Sequence, residues 1–381
     1  MDELNFKLLK EYFIKNDDYI HPSIIRKKTK NGHYGMFASE NIESDTIFYK
    51  NFNLNIDYNF VEEGAEIEKK IISLIIELNK GEQSDFYKSF QLLPSKEDVN
   101  KYSIFYCSKD MLEKLKSIGF DYGSILNQYD NIYKKIIEIN NKYKYIDNLS
   151  ISDIKYSMYI YTRYSWNGNF WYDPISQLFN HKNGNCERIY NEKDGCYYLK
   201  TNSYINKGDE IYISYGHSNS ENLAFFYDFV DENDFNINLS IHFQAKNPID
   251  FYKARLLMDI KEKFISHYKD DTLIVMDNGL LNINGDSIII NKNNLNNLFE
   301  VSRILSIENI NDINNQKDIF IYKKAQEILK MNLNSINFEK YKSMPEIKIQ
   351  YPYIGILIEK KYELLNYLID HIDGLLKELI K

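Results

Sequence analysis

Apolar residues recur along this chain in two rhythms, and the change from one to the other marks out its elements. Leu4, Leu8, Leu9, Tyr12 and Phe13 stand at helical spacing and predict a short leading helix over 3–15. From Pro22 the pattern becomes extended, with Asn31-Gly32 as a strong turn signal. Tyr34-Gly35-Met36-Phe37-Ala38 and Thr46-Ile47-Phe48-Tyr49 then read as strands joined by a polar link. Between about 64 and 150 the period is helical again. Ile67, Ile71, Leu74, Ile75 and Leu78 share one face; Met111, Leu112, Leu115 and Ile118 mark a second helix; Ile132, Ile136, Ile137 and Ile139 mark a third. Stripes of this kind are core, and no chemistry is assigned to them.

Residues 151–161 predict a helix leading into Thr162-Arg163, and strand-like runs return after Trp171. Asn183-Gly184-Asn185 turns the chain, and Asp194-Gly195 predicts a hairpin between 187–190 and 196–199. Lys207-Gly208-Asp209-Glu210 turns into the apolar strand Ile211-Tyr212-Ile213, and 220–228 suggest one or two helical turns. From about 240 the signals are mainly helical, around Leu256, Leu257, Ile260 and Phe264, then Leu295, Leu298 and Phe299, then 321–329. A β excursion over 280–283 and 288–290 interrupts them. The last helix is the most regular: Ile358, Tyr362, Leu365, Ile369, Ile372, Leu376 and Leu379 alternate steps of four and three. That seam is expected to pack on its own domain rather than form an intermolecular coiled coil.

Length and charge narrow the classes. A chain of 381 residues predicts two domains, and 33 Tyr with 22 Phe supply ample core. The net charge of −8 argues against a broad nucleic-acid surface, which is usually basic, and suits a cationic substrate. Cys107, Cys186 and Cys196 form neither a disulfide framework nor a Cys-x-x-Cys pair, so no metal is expected. The N-terminus lacks a signal peptide's apolar centre, and no run of about 18 apolar residues occurs, so the expectation is an intracellular protein, cytoplasmic or nuclear, without a membrane partner. Gly-x-Gly-x-x-Gly, Walker and His-Glu-x-x-His patterns are absent.

Three polar signatures remain that core-building does not require: Thr162-Arg163-Tyr164; Asp173-Pro174 followed by Asn180-His181; and Gly208-Asp209-Glu210-Ile211-Tyr212-Ile213-Ser214-Tyr215-Gly216 with Tyr227-Asp228-Phe229 beyond. Together they resemble SET-domain protein methyltransferases, and among these the group that includes the Rubisco large-subunit lysine methyltransferase and the actin-histidine methyltransferase. The resemblance implies an α+β chain. Its mostly-β SET fold, with pseudoknot-like threading and a helical insertion, is followed by a mainly α-helical C-terminal domain. Expected boundaries are 1–63 for the N-terminal helix and first SET part, 64–150 for the insertion, 151–239 for the second SET part, and 240–381 for a helical substrate-binding lobe.

The same resemblance assigns roles. S-adenosyl-L-methionine is the implied cofactor, held by Tyr34, Gly35, Met36, Arg163, Asn180, His181 and Tyr215. Arg163 would face the donor's carboxylate. Tyr215 would be catalytic, its phenol oxygen aligning the methyl group with the incoming nitrogen, and Tyr227 would line the channel for the target side chain. The sequence departs from the family pattern at His33, in place of a first glycine, at Gln177, in place of an acid, and at Asp228, in place of a glycine. The implied activity is S-adenosylmethionine-dependent protein N-methylation, with a lysine of a protein substrate as the expected target. Histidine is the alternative target, and a catalytically degenerate SET-fold interaction module the alternative class. Oligomeric state is open.

Overall fold

In a computed structural model of the chain, the residues described are 2–15, 19–29, 34–51, 56–164, 172, 175–182, 185–191, 196–215, 219–233, 235–240, 243–245, 249–250, 252–253, 256–257, 273–277, 280–284, 287–293, 295–307 and 318–380. Asn31-Gly32, His33, Pro174, Asn183-Gly184, Asp194-Gly195 and Gly216 lie outside them. The chain divides into two compact units, Met1–Tyr106 with Ser124–Gly216, and Cys107–Gly123 with His217–Lys381.

The first unit opens with α1 (Asp2–Lys15), whose Phe6, Leu9 and Phe13 are buried. Strands β1 (Tyr19–Ile20), β2 (Ile24–Lys28), β3 (Tyr34–Ala38) and β4 (Ile47–Asn51) follow. Helices α2 (Glu66–Asn79), α3 (Tyr87–Phe90), α4 (Lys96–Tyr102), α6 (Gly123–Tyr143) and α7 (Ile151–Tyr164) come next, while α5 (Lys109–Ser117) falls in the second unit. Serine caps open two of the helices: Ser95 Oγ accepts the Asp98 N–H at 3.1 Å, and Ser108 Oγ the Met111 N–H at 3.2 Å.

β5 (Asn180–His181), β6 (Cys186–Asn191), β7 (Cys196–Thr201) and β8 (Glu210–Ile213) complete two four-stranded sheets, ordered β1-β4-β7-β6 and β2-β3-β8-β5. The expected hairpin is present, with Asn191 opposite Cys196. One hydrophobic cluster joins α1 to both sheets through Phe13, Ile24, Met36, Phe48, Tyr49, Phe179, Leu199, Ile211 and Ile213. Phe48 and Phe179 lie 5.3 Å apart at their ring centres. Each such fully buried side chain contributes about 1.5–3 kcal/mol.

Register in the second sheet decides what reaches the surface. β8 alternates, with Ile211 and Ile213 buried and Glu210 and Tyr212 half-buried, because successive side chains point to opposite faces. Its antiparallel neighbour sets Met36 opposite Ile211, and its parallel neighbour sets Asn180 opposite Tyr212 and His181 opposite Ile213. Segments distant in sequence thus lie side by side.

The second unit is mainly helical. It contains α8 (Ser220–Tyr227), α9 (Asn296–Leu305), α10 (Asp318–Asn334), α11 (Phe338–Lys342), α12 (Pro345–Gln350) and α13 (Pro352–Ile380). Strands β9 (Ile237–Ser240), β10 (Phe243–Ala245), β11 (Leu273–Asp277), β12 (Leu280–Asn284) and β13 (Ser287–Ile290) form a three-stranded sheet, β10-β12-β11, and a β13-β9 pair. The two segments of the β excursion therefore belong to different sheets. Pro352 is the first residue of α13, where its missing N–H costs no hydrogen bond. The seam residues Ile358, Leu365, Ile369, Ile372 and Leu376 are buried, and α13 packs along α10, which buries Ala325, Ile328 and Leu329. α5 joins this unit because the Asn337 N–H donates to the Ile118 carbonyl at 3.2 Å. Gly119, at φ +96°, runs so close to Ser335 that a Cβ would stand 2.0 Å from its carbonyl oxygen. No helix among the described residues is long and apolar enough to cross a membrane.

Candidate active site

The exposed side of β3-β8-β5 carries a linked polar group. Asn180 Nδ2 donates to the Tyr34 carbonyl at 3.2 Å and to Glu210 Oε1 at 2.6 Å. Glu210 Oε2 accepts from the Tyr212 hydroxyl at 2.8 Å, a contact that strand alternation makes possible by setting both residues on one face. Burial, the hydrogen bond to Glu210 and its negative charge push the Tyr212 phenol up to about 12. Asn185 braces the strand, donating to the Glu210 carbonyl at 3.1 Å and accepting the Tyr212 N–H at 2.9 Å.

Gly35 sits opposite this pair. A Cβ there would lie 2.2 Å from Glu210 Oε1 and 2.9 Å from Asn180 Nδ2, so the glycine makes room for the carboxylate–amide bond.

Beyond β8 the chain stays attached to β5. The Lys182 N–H donates to the Ile213 carbonyl at 3.2 Å, and the Tyr215 N–H donates to His181 Nδ1 at 3.0 Å. An Nδ1 that accepts carries no proton, so the His181 proton resides on Nε2. The two rings stand 5.1 Å apart, inclined at 45°. The Tyr215 hydroxyl donates to the Phe179 carbonyl at 2.8 Å, which fixes the phenol oxygen one residue from Asn180. Tyr215, His181, Asn180 and Tyr34 are all half-buried, accessible to a ligand yet held.

Tyr34, Gly35, Asn180, His181 and Tyr215, singled out from the sequence, therefore meet in one place. The hydrogen bonds described for this group do not include Met36, Arg163 or Tyr227. The Met36 side chain is fully buried in the core. Arg163, in the last turn of α7, is buried with its guanidinium 3.7 Å from the Tyr159 ring centre and 5.3 Å from that of Phe105. The hydrogen bonds joining Tyr34, Asn180, His181 and Tyr215 do not run through it. Tyr227 ends α8 in the second unit, its ring 6.5 Å from that of Phe229. Asp228 beside it adopts φ +58°, the left-handed conformation that favours glycine, the residue expected there from the family pattern. Glu210, Tyr212 and Asn185 carried no assigned role in the sequence. The period-two alternation of 210–213 was the available signal, since it puts Glu210 and Tyr212 on one face.

Residues 33–216 match the family model for the SET domain. The fold of the chain is similar to that in the crystal structure of the SET domain of LSMT bound to lysine and AdoHcy, with 16% identity, 98% of this chain and 92% of that chain covered, and a TM-score of 0.60. It is likewise similar to the structure of Rubisco LSMT bound to AdoMet, at 16% identity, with coverages of 98% and 93% and a TM-score of 0.59. A sequence search among curated proteins gives no significant match. Among the described residues, no group of three or more His, Cys, Asp or Glu is arranged to hold a metal ion.

Proposed function

We propose that this chain is an S-adenosylmethionine-dependent protein N-methyltransferase acting on a lysine side chain of a protein substrate. The observation that carries the reading is the anchoring of Tyr215 at both ends, its N–H on His181 and its hydroxyl on the Phe179 carbonyl, beside Asn180 in a SET domain. The comparison structures were solved with AdoMet, or with lysine and AdoHcy, which supports the donor and the target.

The residues present fit a sulfonium donor. Its ligand-facing groups are oxygens and neutral dipoles, and among the described hydrogen bonds of the cluster the ionised partner is the anionic Glu210. Because the Tyr215 hydroxyl donates its proton to the Phe179 carbonyl, its oxygen can meet a polarised C–H or N–H group only as an acceptor. When bound, S-adenosylmethionine would supply an electrophilic methyl group to the amine lone pair, its sulfur taking the electrons of the broken C–S bond and water the amine proton.

What the protein does is align and dehydrate. Lysine's ordinary value of about 10.4 means that its ammonium must shed a proton before it can attack. A half-buried slot beside a cation favours the neutral amine through desolvation and like-charge repulsion. Tyr215 then orients the nucleophile, and most of the rate comes from holding it in line. The test is incubation with methyl-labelled donor and a cell extract, followed by mass spectrometry of the labelled protein. Methyl-lysine supports the proposal, methyl-histidine transfers it to the other target, and no incorporation contradicts it.

A further inference from the structure

We infer that Glu210 is a positioning residue, whose carboxylate holds the Asn180 amide in one orientation so that its carbonyl oxygen, not its nitrogen, is offered to the ligand. The inference deepens the proposed function and rests on that reading for what the ligand is.

The orientation is forced by chemistry. Both partners of the Asn180 side chain, the Tyr34 carbonyl and the Glu210 carboxylate, are acceptors only. An NH₂ group satisfies both, and a carbonyl oxygen satisfies neither. With both amide hydrogens committed to the sheet, Asn180 Oδ1 is the polar atom left, and it enters none of the described hydrogen bonds. A group placed against it must therefore be a donor, such as an amine or ammonium hydrogen.

Three further features hold Glu210 to this task. Tyr212 donates to its second oxygen at 2.8 Å, Asn185 donates to its backbone carbonyl at 3.1 Å, and Gly35 leaves the space its first oxygen occupies. Parallel pairing of β5 with β8 and antiparallel pairing of β3 with β8 bring these residues together across 175 positions of sequence, from Gly35 to Glu210. A carboxylate that merely stabilised the strand would need neither the glycine nor the amide.

The test combines calorimetry with S-adenosylmethionine and NMR of the Asn180 side-chain NH₂ pair in the full chain. In Glu210→Ala, donor affinity falls about tenfold or more, the scale of an amide freed to turn the wrong way. The NH₂ signals move towards those of a solvated amide. Glu210→Gln restores both, because a glutamine can accept from Asn180 through Oε1 and donate to the Tyr212 oxygen through Nε2. The double variant with Asn180→Ala binds no more weakly than Asn180→Ala alone. Wild-type affinity in Glu210→Ala, multiplied losses in the double variant, or unmoved NH₂ signals would overturn the inference. If the wild type itself binds no donor, the proposed function fails while the NH₂ signals still decide the role of Glu210.

Discussion

His181 Nδ1 accepts the backbone N–H of Tyr215 at 3.0 Å, so a side chain on one strand sets the direction in which the chain leaves the next. The bond spans 34 residues of sequence and ties the two most specific polar signatures of the chain together. Because it uses the backbone of Tyr215, the phenol ring can be altered without breaking it.

That separation makes Tyr215→Phe informative. The variant keeps the His181 bond and loses the hydroxyl bonded to the Phe179 carbonyl. Methyl transfer is expected to fall by about tenfold or more, with donor affinity within about twofold of wild type, since the hydroxyl acts on alignment rather than on holding the donor. Single-turnover transfer and calorimetry on the same sample check it. Wild-type rates would remove Tyr215 from the mechanism.

Gly35→Ala asks whether the close approach across the sheet matters. The new methyl would collide with Glu210 Oε1 and Asn180 Nδ2. A cost of about 1–3 kcal/mol in stability is expected from the overpacking. Donor affinity should fall as it does in Glu210→Ala. Denaturant unfolding and calorimetry report the two effects, and a variant of unchanged stability would show that the carboxylate moves aside freely.

Much of this site was legible in the sequence, and the part that was not has a physical reason. Asn180-His181 and Tyr215 stood out because polar residues at strand ends serve no core. Glu210 read as part of a turn, because its bond to Asn180 depends on the register of three strands, and a one-residue slip would turn it to the other face. The helical stripes around Ile71 and Leu115 were equally plain. Periodicity shows that a face is buried but not against what, so nothing marked residues 107–123 as packing with Ser335 and Asn337. The stacking of Arg163 on Tyr159 and Phe105 depends on a helix packing that no short motif encodes.

Asp228 offers a test of backbone conformation. At φ +58° a glycine is unstrained, an aspartate is tolerated and a β-branched residue is not. Asp228→Val is expected to be about 1–2 kcal/mol less stable than Asp228→Gly by denaturant unfolding. Equal stabilities would mean that α8 ends in another conformation in solution.

A pH effect follows from His21. Its Nδ1 accepts the Ser23 N–H at 3.2 Å, and burial together with the neighbouring Lys10 charge lowers it from its ordinary value of 6.5. The folded chain then binds this proton less readily than the unfolded chain. Its contribution to stability is complete above pH 6.5 and is lost as pH falls through the lower folded-state value. His21→Asn, which keeps an acceptor for Ser23 but does not titrate, should lose less stability than wild type between pH 7.5 and pH 5.5, values of about one unit either side of the ordinary imidazole range. Equal losses in the two proteins would exclude His21 as the source.

The proposed activity requires Asn180, His181 and Tyr215 to form a site that grips a sulfonium donor. Isothermal calorimetry with S-adenosylmethionine on wild type and Asn180→Ala tests this most directly. The prediction is saturable one-to-one binding that is abolished or at least about tenfold weaker in the variant. Undetectable binding to wild type, or equal binding to both proteins, would contradict it.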